Sequence, residues 1–439
     1  MFSTYFKEFL MLGKIKNFFR TLPSRITPVK LFVSLMAFSA TVYVIIYAII
    51  GNGFFTDLFF RNSIDFFMDF FNSIRDASNI DAVYSEHGVI YPPMANLIFL
   101  VLSRFTPNLY NSTEFDDRYD WVKYSAPFML LVITVAVFAI LLYSLVKSSL
   151  NEKNKRLASL FAAFAFFNAP VLYMVERGNI LMFCLVSLMV FAFSYNSESK
   201  VSRELGLIAL AFAFSLKLYP VIFGWFLIRD KRFKEALRCA IYGILMIVLP
   251  SFAFGGFKVF KMIAQNIFSF SSSDNTGNIF SRLLGFFGLD HINADFMTPV
   301  MWGWAALVCV CFILAPFVMK KNWKAYAVGV LAIVCIPSLT ALYAWAFMLV
   351  PMIFFCNEKE KTRADWFYFV TMLIPFIFIP FRVHYAITNN GLALYFCAYV
   401  LSGVAIFDTV KALVLLIKEN RKAGITFGQY FKSLVKVEK

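Results

Sequence analysis

Residues 29–51 read VKLFVSLMAFSATVYVIIYAIIG, with a single charge at the second position. A helix of about 20 apolar residues crosses a hydrocarbon core roughly 30 Å thick, so this stretch predicts a membrane span from Val29 to Gly51. Just before it lie Lys7, Lys14, Lys16, Arg20 and Arg25, with Lys30 at its edge. Such a basic amphipathic segment lies on the inner membrane surface, which puts the amino terminus inside. No small-residue cleavage site follows a short apolar core, so the segment reads as an anchor and not as a removable signal.

The pattern repeats along the chain. Apolar runs cover roughly 125–146, 157–175, 180–195, 205–216, 218–228, 236–254, 298–319, 325–337, 343–356, 366–381 and 391–417. With the first, they make about twelve expected spans of an all-α polytopic membrane protein. Composition agrees: 60% of the 439 residues are hydrophobic and 15% are charged, too little polar surface for a soluble enzyme of this length. The formal charge of +15 could suggest a nucleic-acid partner. Sorted by side, however, the positive excess falls in the loops 147–156, 196–204, 229–235, 320–324 and 357–365 and in the tail from Lys418. All of these share one side when the spans alternate, so the excess is an orientation signal toward anionic inner-leaflet lipid.

The 15 residues from Tyr91 to Phe105 would reverse that sorting if they spanned, so they are expected at the outer interface as a juxtamembrane helix. The chain then forms one membrane-embedded domain over residues 1–439, with two long outer loops at 52–124 and 255–297. It is expected as a multi-pass protein of the cell (plasma or inner) membrane with both termini cytoplasmic. The seven cysteines fall in or beside spans, without a CxxC pair, and His87, His291 and His384 are too scattered to suggest a metal centre. No metal site is expected.

Polar residues concentrate in the outer loops, and loops on a rigid scaffold often carry function. The first loop holds Asp57, Asp65, Asp69, Asp76, Asp81 and Glu86. Asp65 and Asp69 are four apart and would share a helix face beside Phe66, Phe67 and Phe70. A carboxylate against apolar surface can act as a general base, or these acids can simply solvate the loop. Cations form a second set. Glu176-Arg177-Gly178-Asn179 joins two spans almost without a loop, and Lys217-Leu218-Tyr219-Pro220 forms a turn between short apolar stretches. A charge at that depth costs several kcal/mol, so Arg177 and Lys217 need compensation: Arg177 from Glu176 or a first-loop aspartate, or either from a bound anion such as a lipid phosphate. Arg282, after the turn Asp274-Asn275-Thr276-Gly277-Asn278, is a third cation of this kind or an ordinary surface arginine. The stretches from Ser338 to Trp345 and from Phe381 to Tyr385, with Tyr343 and His384, lie at outer turns where aromatic belts are common.

The colinear set Asp65-Phe66, Asp81-Ala82-Val83-Tyr84, Tyr91-Pro92-Pro93, Asn179, Lys217-Leu218-Tyr219-Pro220, the Asn-rich turn to Arg282, and Ser338 through Tyr343 resembles glycosyltransferase family 87 over about residues 60–356. That family comprises polytopic GT-C enzymes, among them polyprenyl-phosphate-mannose-dependent α-mannosyltransferases. The resemblance implies a GT-C-like fold with juxtamembrane helices in the first outer loop, Asp65 as catalytic base and Asp69 as a possible second carboxylate. Together with the cations noted above, it leads to the expectation of donor-phosphate binding by Lys217, Arg177 and Arg282, and of substrate contacts from Tyr91, Glu176, Asn179, Tyr219, Tyr343 and His384; of the Glu176–Asn179 turn, only Asn179 carries over from the family itself. The chain departs from the family pattern at Glu176-Arg177-Gly178-Asn179, where Gly-Gln-x-Asn is usual, and at Ser338–Tyr343, which lacks the usual His. The sugar is therefore left open, with mannose the one the family suggests.

On this reading the partners are a polyprenyl-phosphate-linked sugar donor, a glycan or glycolipid acceptor and membrane lipid, with no nucleic acid. Transfer would be inverting and on the exoplasmic side. No cofactor is required, and a divalent metal stays open. A transporter or flippase, or a polymerase, for lipid-linked saccharides would share the span count. A transporter should show pseudo-repeated halves with polar residues deep in broken helices, and no repeat is visible here. A polymerase should carry its key cations in a large late outer loop.

Overall fold

A computed structural model describes residues 26–51, 67–106, 125–271, 294–335, 342–379 and 389–424. Among these residues the secondary structure is helical, without strands. The chain runs through α1 (Pro28–Ile50), α2 (Met68–Ser78), α3 (Pro93–Ser103), α4 (Ser125–Ser149), α5 (Lys155–Phe166), α6 (Ala169–Arg177), α7 (Leu181–Ser194) and α8 (Lys200–Leu216). A 3-10 segment, Tyr219–Gly224, leads into α9 (Trp225–Arg229), then α10 (Phe233–Ser251), α11 (Lys258–Ser271), α12 (Ala294–Val318) and α13 (Asn322–Cys335). A second 3-10 segment, Leu342–Met348, precedes α14 (Leu349–Asn357), α15 (Arg363–Leu373) and α16 (Asn389–Lys422).

Among the described residues, each of the twelve apolar runs falls mainly on helical structure. Four helices are long and apolar enough to cross a membrane, namely Pro28–Ile50, Ala126–Ser149, Phe233–Phe254 and Asn390–Lys422, and the bent pair of α5 and α6 makes a fifth. The others are shorter. A 14-residue helix such as α7 or α13 rises about 21 Å at 1.5 Å per residue, short of a full bilayer core. Of the twelve spans expected, four or five thus meet the length and composition of a crossing.

The run 157–175 is broken by a bend of 45° between α5 and α6. Asn168 explains the break. Its Oδ1 accepts from the Val171 amide at 3.1 Å, capping α6, while its Nδ2 donates to the carbonyls of Ala165 at 2.7 Å and Phe164 at 3.0 Å, closing α5. With Pro170 in the first turn of α6, one side chain satisfies both helix ends at the point where the backbone ladder stops. The stretch expected as a juxtamembrane helix forms a helix, α3, started by the Pro92-Pro93 pair.

The core runs along α13, α14, α15 and the 3-10 segment before α14, where Trp323, Trp345 and Trp366 are almost wholly buried. The Trp345 indole donates to the Met372 carbonyl at 2.9 Å.

Polar contacts sort the basic loops to one end of the bundle. The Asn151 amide donates to Asn357 at 3.0 Å, Arg229 to Asn322 at 2.7 Å, and Arg232 to the Tyr195 carbonyl at 2.6 Å. Lys321 and Lys324 pair with Asp365 at 2.6 and 3.2 Å, and Lys324 also with Asp408 at 2.6 Å. Arg203 pairs with Glu235 at 3.4 Å, and Arg238 with Glu204 at 2.9 Å. Burial alone would raise the Asp365 carboxyl, but hydrogen bonds from Lys321 and from its capping box with Thr362 hold it below the ordinary aspartate value.

Candidate active site

The opposite end is organised around the turn between α6 and α7. α6 closes with Gly178 in the left-handed conformation, φ +62°, and the Asn179 amide bonds back to the Met174 carbonyl at 3.1 Å. A Cβ at Gly178 would meet the Phe70 Cβ at 2.6 Å, so glycine is needed here both for the backbone and for the approach of α2. A main-chain bond ties the two together, with the Phe67 amide donating to the Glu176 carbonyl at 2.7 Å.

That docking sets the polar geometry. Asp69, in the first turn of α2, receives Arg177 Nη2 on Oδ1 at 2.6 Å and Asn179 Nδ2 on Oδ2 at 2.7 Å. Asn179 is buried and uses its own Oδ1 to accept the Leu181 amide at 3.0 Å, so it is fixed to α7 while it holds the carboxylate. The side chains of Asp69 and Arg177 are 18% and 23% exposed, which leaves the pair reachable yet shielded enough to matter. The first-loop aspartate, one of the partners expected for Arg177, pairs with it.

Lys217 stands at the C-cap of α8. Its Nζ lies 4.0 Å from the centre of the Tyr91 ring, and Asp69 is within electrostatic range. Among the described residues this half-buried ammonium forms no ion pair, so the ring face is its nearest compensation. Burial and the neighbouring Asp69 push the Tyr91 phenol well above its ordinary value, so Tyr91 is a neutral wall and not a base. The Tyr91 carbonyl accepts from Tyr84 at 3.1 Å, and the Tyr84 hydroxyl accepts from Asn96 at 2.8 Å. Asn266 of α11 donates to the carbonyls of Tyr84 and Val89 at 3.0 and 3.2 Å. The loop bearing Tyr91 is thus held from α3 and from α11.

Tyr219 and Tyr343 complete the cluster: Tyr91 and Tyr343 both lie within electrostatic range of Tyr219. The structure therefore brings together Asp69, Tyr91, Glu176, Arg177, Asn179, Lys217, Tyr219 and Tyr343 from five separate stretches of chain. Asp65, Arg282, His384 and Ser338–Thr340 lie outside the described residues, as does the basic segment before residue 26. Among the other first-loop acids, Asp76 pairs with Arg75 at 2.7 Å, the bland role open to such residues. No group of three or more His, Cys, Asp or Glu side chains that could hold a metal ion occurs among the described residues.

Tyr173 is a site residue that the sequence reading missed. It stacks on Tyr343 at 5.8 Å between ring centres and 20° between planes. It lies four residues before Arg177, hence on the same face of α6; that spacing was the available signal.

Such a cluster can hold an ionised carboxylate in a fixed orientation, present a cation to an anion, and offer aromatic walls to a sugar or lipid headgroup. Compared with known proteins, residues 90–336 match the family model of glycosyltransferase family 87. No curated protein and no solved structure shows significant similarity to the chain.

Proposed function

Because the chain belongs to glycosyltransferase family 87, and is thus a membrane glycosyltransferase, we propose that it moves a sugar, mannose by the family's usage, from a polyprenyl-phosphate donor to a lipid-linked or cell-envelope glycan. Transfer occurs on the exoplasmic side, with inversion. The observation that carries this reading is Asp69 clamped between Arg177 and Asn179, with Lys217 and Tyr91 beside it.

The chemistry follows from the donor. Its phosphate leaves without protonation, so one base and a stabilised leaving group suffice. The acceptor O–H gives its proton to a carboxylate while its oxygen bonds to the anomeric carbon from the face opposite the phosphate. The bond from that carbon to the phosphate oxygen breaks, and its electron pair leaves with the phosphate. Lys217, with Arg177, balances the growing charge, the kind of preorganised electrostatics that contributes most where water is scarce. Arg282 is given the same role, and His384 a contact to substrate. Glu176, Tyr219 and Tyr343 line the same end.

The base belongs to the Asp65–Asp69 segment. Asp69 fits the role among the described residues, since Arg177 and Asn179 hold its carboxylate in a fixed orientation; the acceptor hydroxyl becomes acidic enough for it only as the new bond forms. The resemblance assigns the role to Asp65 instead, so Asp65→Asn and Asp69→Asn decide between them. The functional test is incubation of purified protein with a panel of polyprenyl-phosphate sugars, followed by mass spectrometry. Transfer from at least one donor is the expected result. No consumption of any donor would overturn the reading and favour a flippase.

A further inference from the structure

α11 is amphipathic. Val259 and Ile263, four residues apart, are buried, while Lys258 and Lys261 are exposed. Asn266 lies three residues after Ile263 and so continues the buried stripe, where the pattern calls for an apolar side chain. Its amide has a specific use there. Nδ2 donates to the carbonyls of Tyr84 at 3.0 Å and Val89 at 3.2 Å. Those two residues flank the exposed turn 85–88, in which Gly88 takes φ +61°. A second hold on the turn comes from the same stretch of chain. Phe254, buried just before the Gly255-Gly256 bend into α11, packs edge-on to the Tyr84 ring at 5.8 Å between centres.

That hold reaches the candidate site in two steps. The Tyr84 hydroxyl donates to the Tyr91 carbonyl at 3.1 Å, and the centre of the Tyr91 ring lies 4.0 Å from Lys217 Nζ. A cation helps a departing anion most when its surroundings are already fixed, because nothing then has to reorganise as charge develops. A turn free to open would carry Tyr91 with it and release the ammonium from the ring face. We infer that Asn266 is a positioning residue for sugar transfer: by closing the 84–89 turn it keeps the Tyr91 ring against Lys217, and so keeps the ammonium aimed at the leaving phosphate. The inference rests on the role proposed for Lys217 above and extends the machinery to α11.

The test uses the full-length protein in lipid nanodiscs with the polyprenyl-phosphate sugar that the donor panel finds active. Asn266→Leu is the main variant, because leucine has nearly the branched shape of asparagine and suits the apolar stripe, so the donor is removed without opening a cavity. It should lower kcat/KM for the donor about tenfold, the loss expected when two carbonyls lose their shared partner, with acceptor KM unchanged. Asn266→Gln keeps the amide and should recover part of the loss. Because Asn266 acts through Tyr91, the double variant Tyr91→Leu/Asn266→Leu should be no slower than Tyr91→Leu alone, whereas a role in general packing would add its cost in both backgrounds. Amide hydrogen exchange read by mass spectrometry should quicken in Asn266→Leu for peptides covering residues 84–91 and stay unchanged in α13, a reading that needs no activity. Additive losses, or exchange that quickens equally in α13, overturn the inference. Transfer by wild type with an unaffected Asn266→Leu overturns it alone and leaves the glycosyltransferase reading standing. No transfer by wild type overturns the role given to Lys217 and this inference with it.

Discussion

The two ends of this bundle treat charge in opposite ways. At the end of the basic loops, Lys321, Lys324, Asp365 and Asp408 neutralise one another across three helices, and Arg203, Arg232 and Glu235 do the same across two. At the other end one carboxylate holds one arginine and one asparagine, and a lysine rests on a tyrosine ring. The first arrangement is closed on itself and stabilises loops. The second leaves a cation and a shielded carboxylate side by side, a costly state for folding and a useful one for binding an anion and moving a proton. The contrast separates structural charge from chemical charge in a chain where both are scarce.

Substitutions can break that contrast. The largest effect is expected from Asp69→Asn, which should lower kcat by about 10² to 10⁴ in a transfer assay with little change in donor KM, if Asp69 is the base. Asp65→Asn should then cost far less, and the reverse order would transfer the role to Asp65. At the other end, Asp365→Asn should leave turnover per folded molecule unchanged. It should lower unfolding stability by roughly 3 kcal/mol, because it leaves Lys321 without its buried carboxylate while Lys324 keeps Asp408, and denaturation in detergent reads this directly. The same pair fixes a pH window. Since the folded Asp365 carboxyl lies below its ordinary value, its contribution is complete above about pH 5 and is lost as the pH falls through the lowered folded value. Wild-type stability should thus fall more steeply below about pH 4 than that of Asp365→Asn.

Lys217→Met should cost about 10² to 10³ in kcat/KM for the donor, with Lys217→Arg restoring part of it. A rise in acceptor KM alone would place Lys217 elsewhere in the mechanism. The smallest effect belongs to Tyr173→Leu. Loss of one aromatic stacking partner contributes about 0.5–1.5 kcal/mol, seen as a few-fold rise in KM, and no change at all would reduce Tyr173 to packing against Tyr343.

Local signals were legible in the sequence, and long-range ones were not. Hydropathy placed the apolar runs, and charge sorting grouped loops that the contacts of Asn151 with Asn357 and Arg229 with Asn322 bring together. The break at Asn168 was written as Asn-Ala-Pro, a cap followed by a proline, yet continuous apolarity hid it within one run. The span count was the weakest inference, because hydropathy finds apolar segments and cannot tell a full crossing from a 14-residue helix such as α13. At the site, Lys217 and Arg177 stood out because charge in an apolar context is rare. The pairing of Asp69 with Arg177 could be offered only as one choice among several, since 108 residues separate them and no local periodicity relates α2 to the end of α6.

That separation also orders events during biosynthesis. α2 emerges first, and its carboxylate then waits for the turn that carries Gly178. At elongation rates of about 5–20 residues per second, the intervening 108 residues take roughly 5–20 s to appear. Throughout that interval Asp69 has neither Arg177 nor Asn179 beside it, and Phe70 has no glycine to dock against. Assembly of the candidate site is therefore a late event, complete only after α6 and α7 have been made, and a nascent chain truncated before residue 177 would carry every acid of the first loop without Arg177 or Asn179 to hold Asp69.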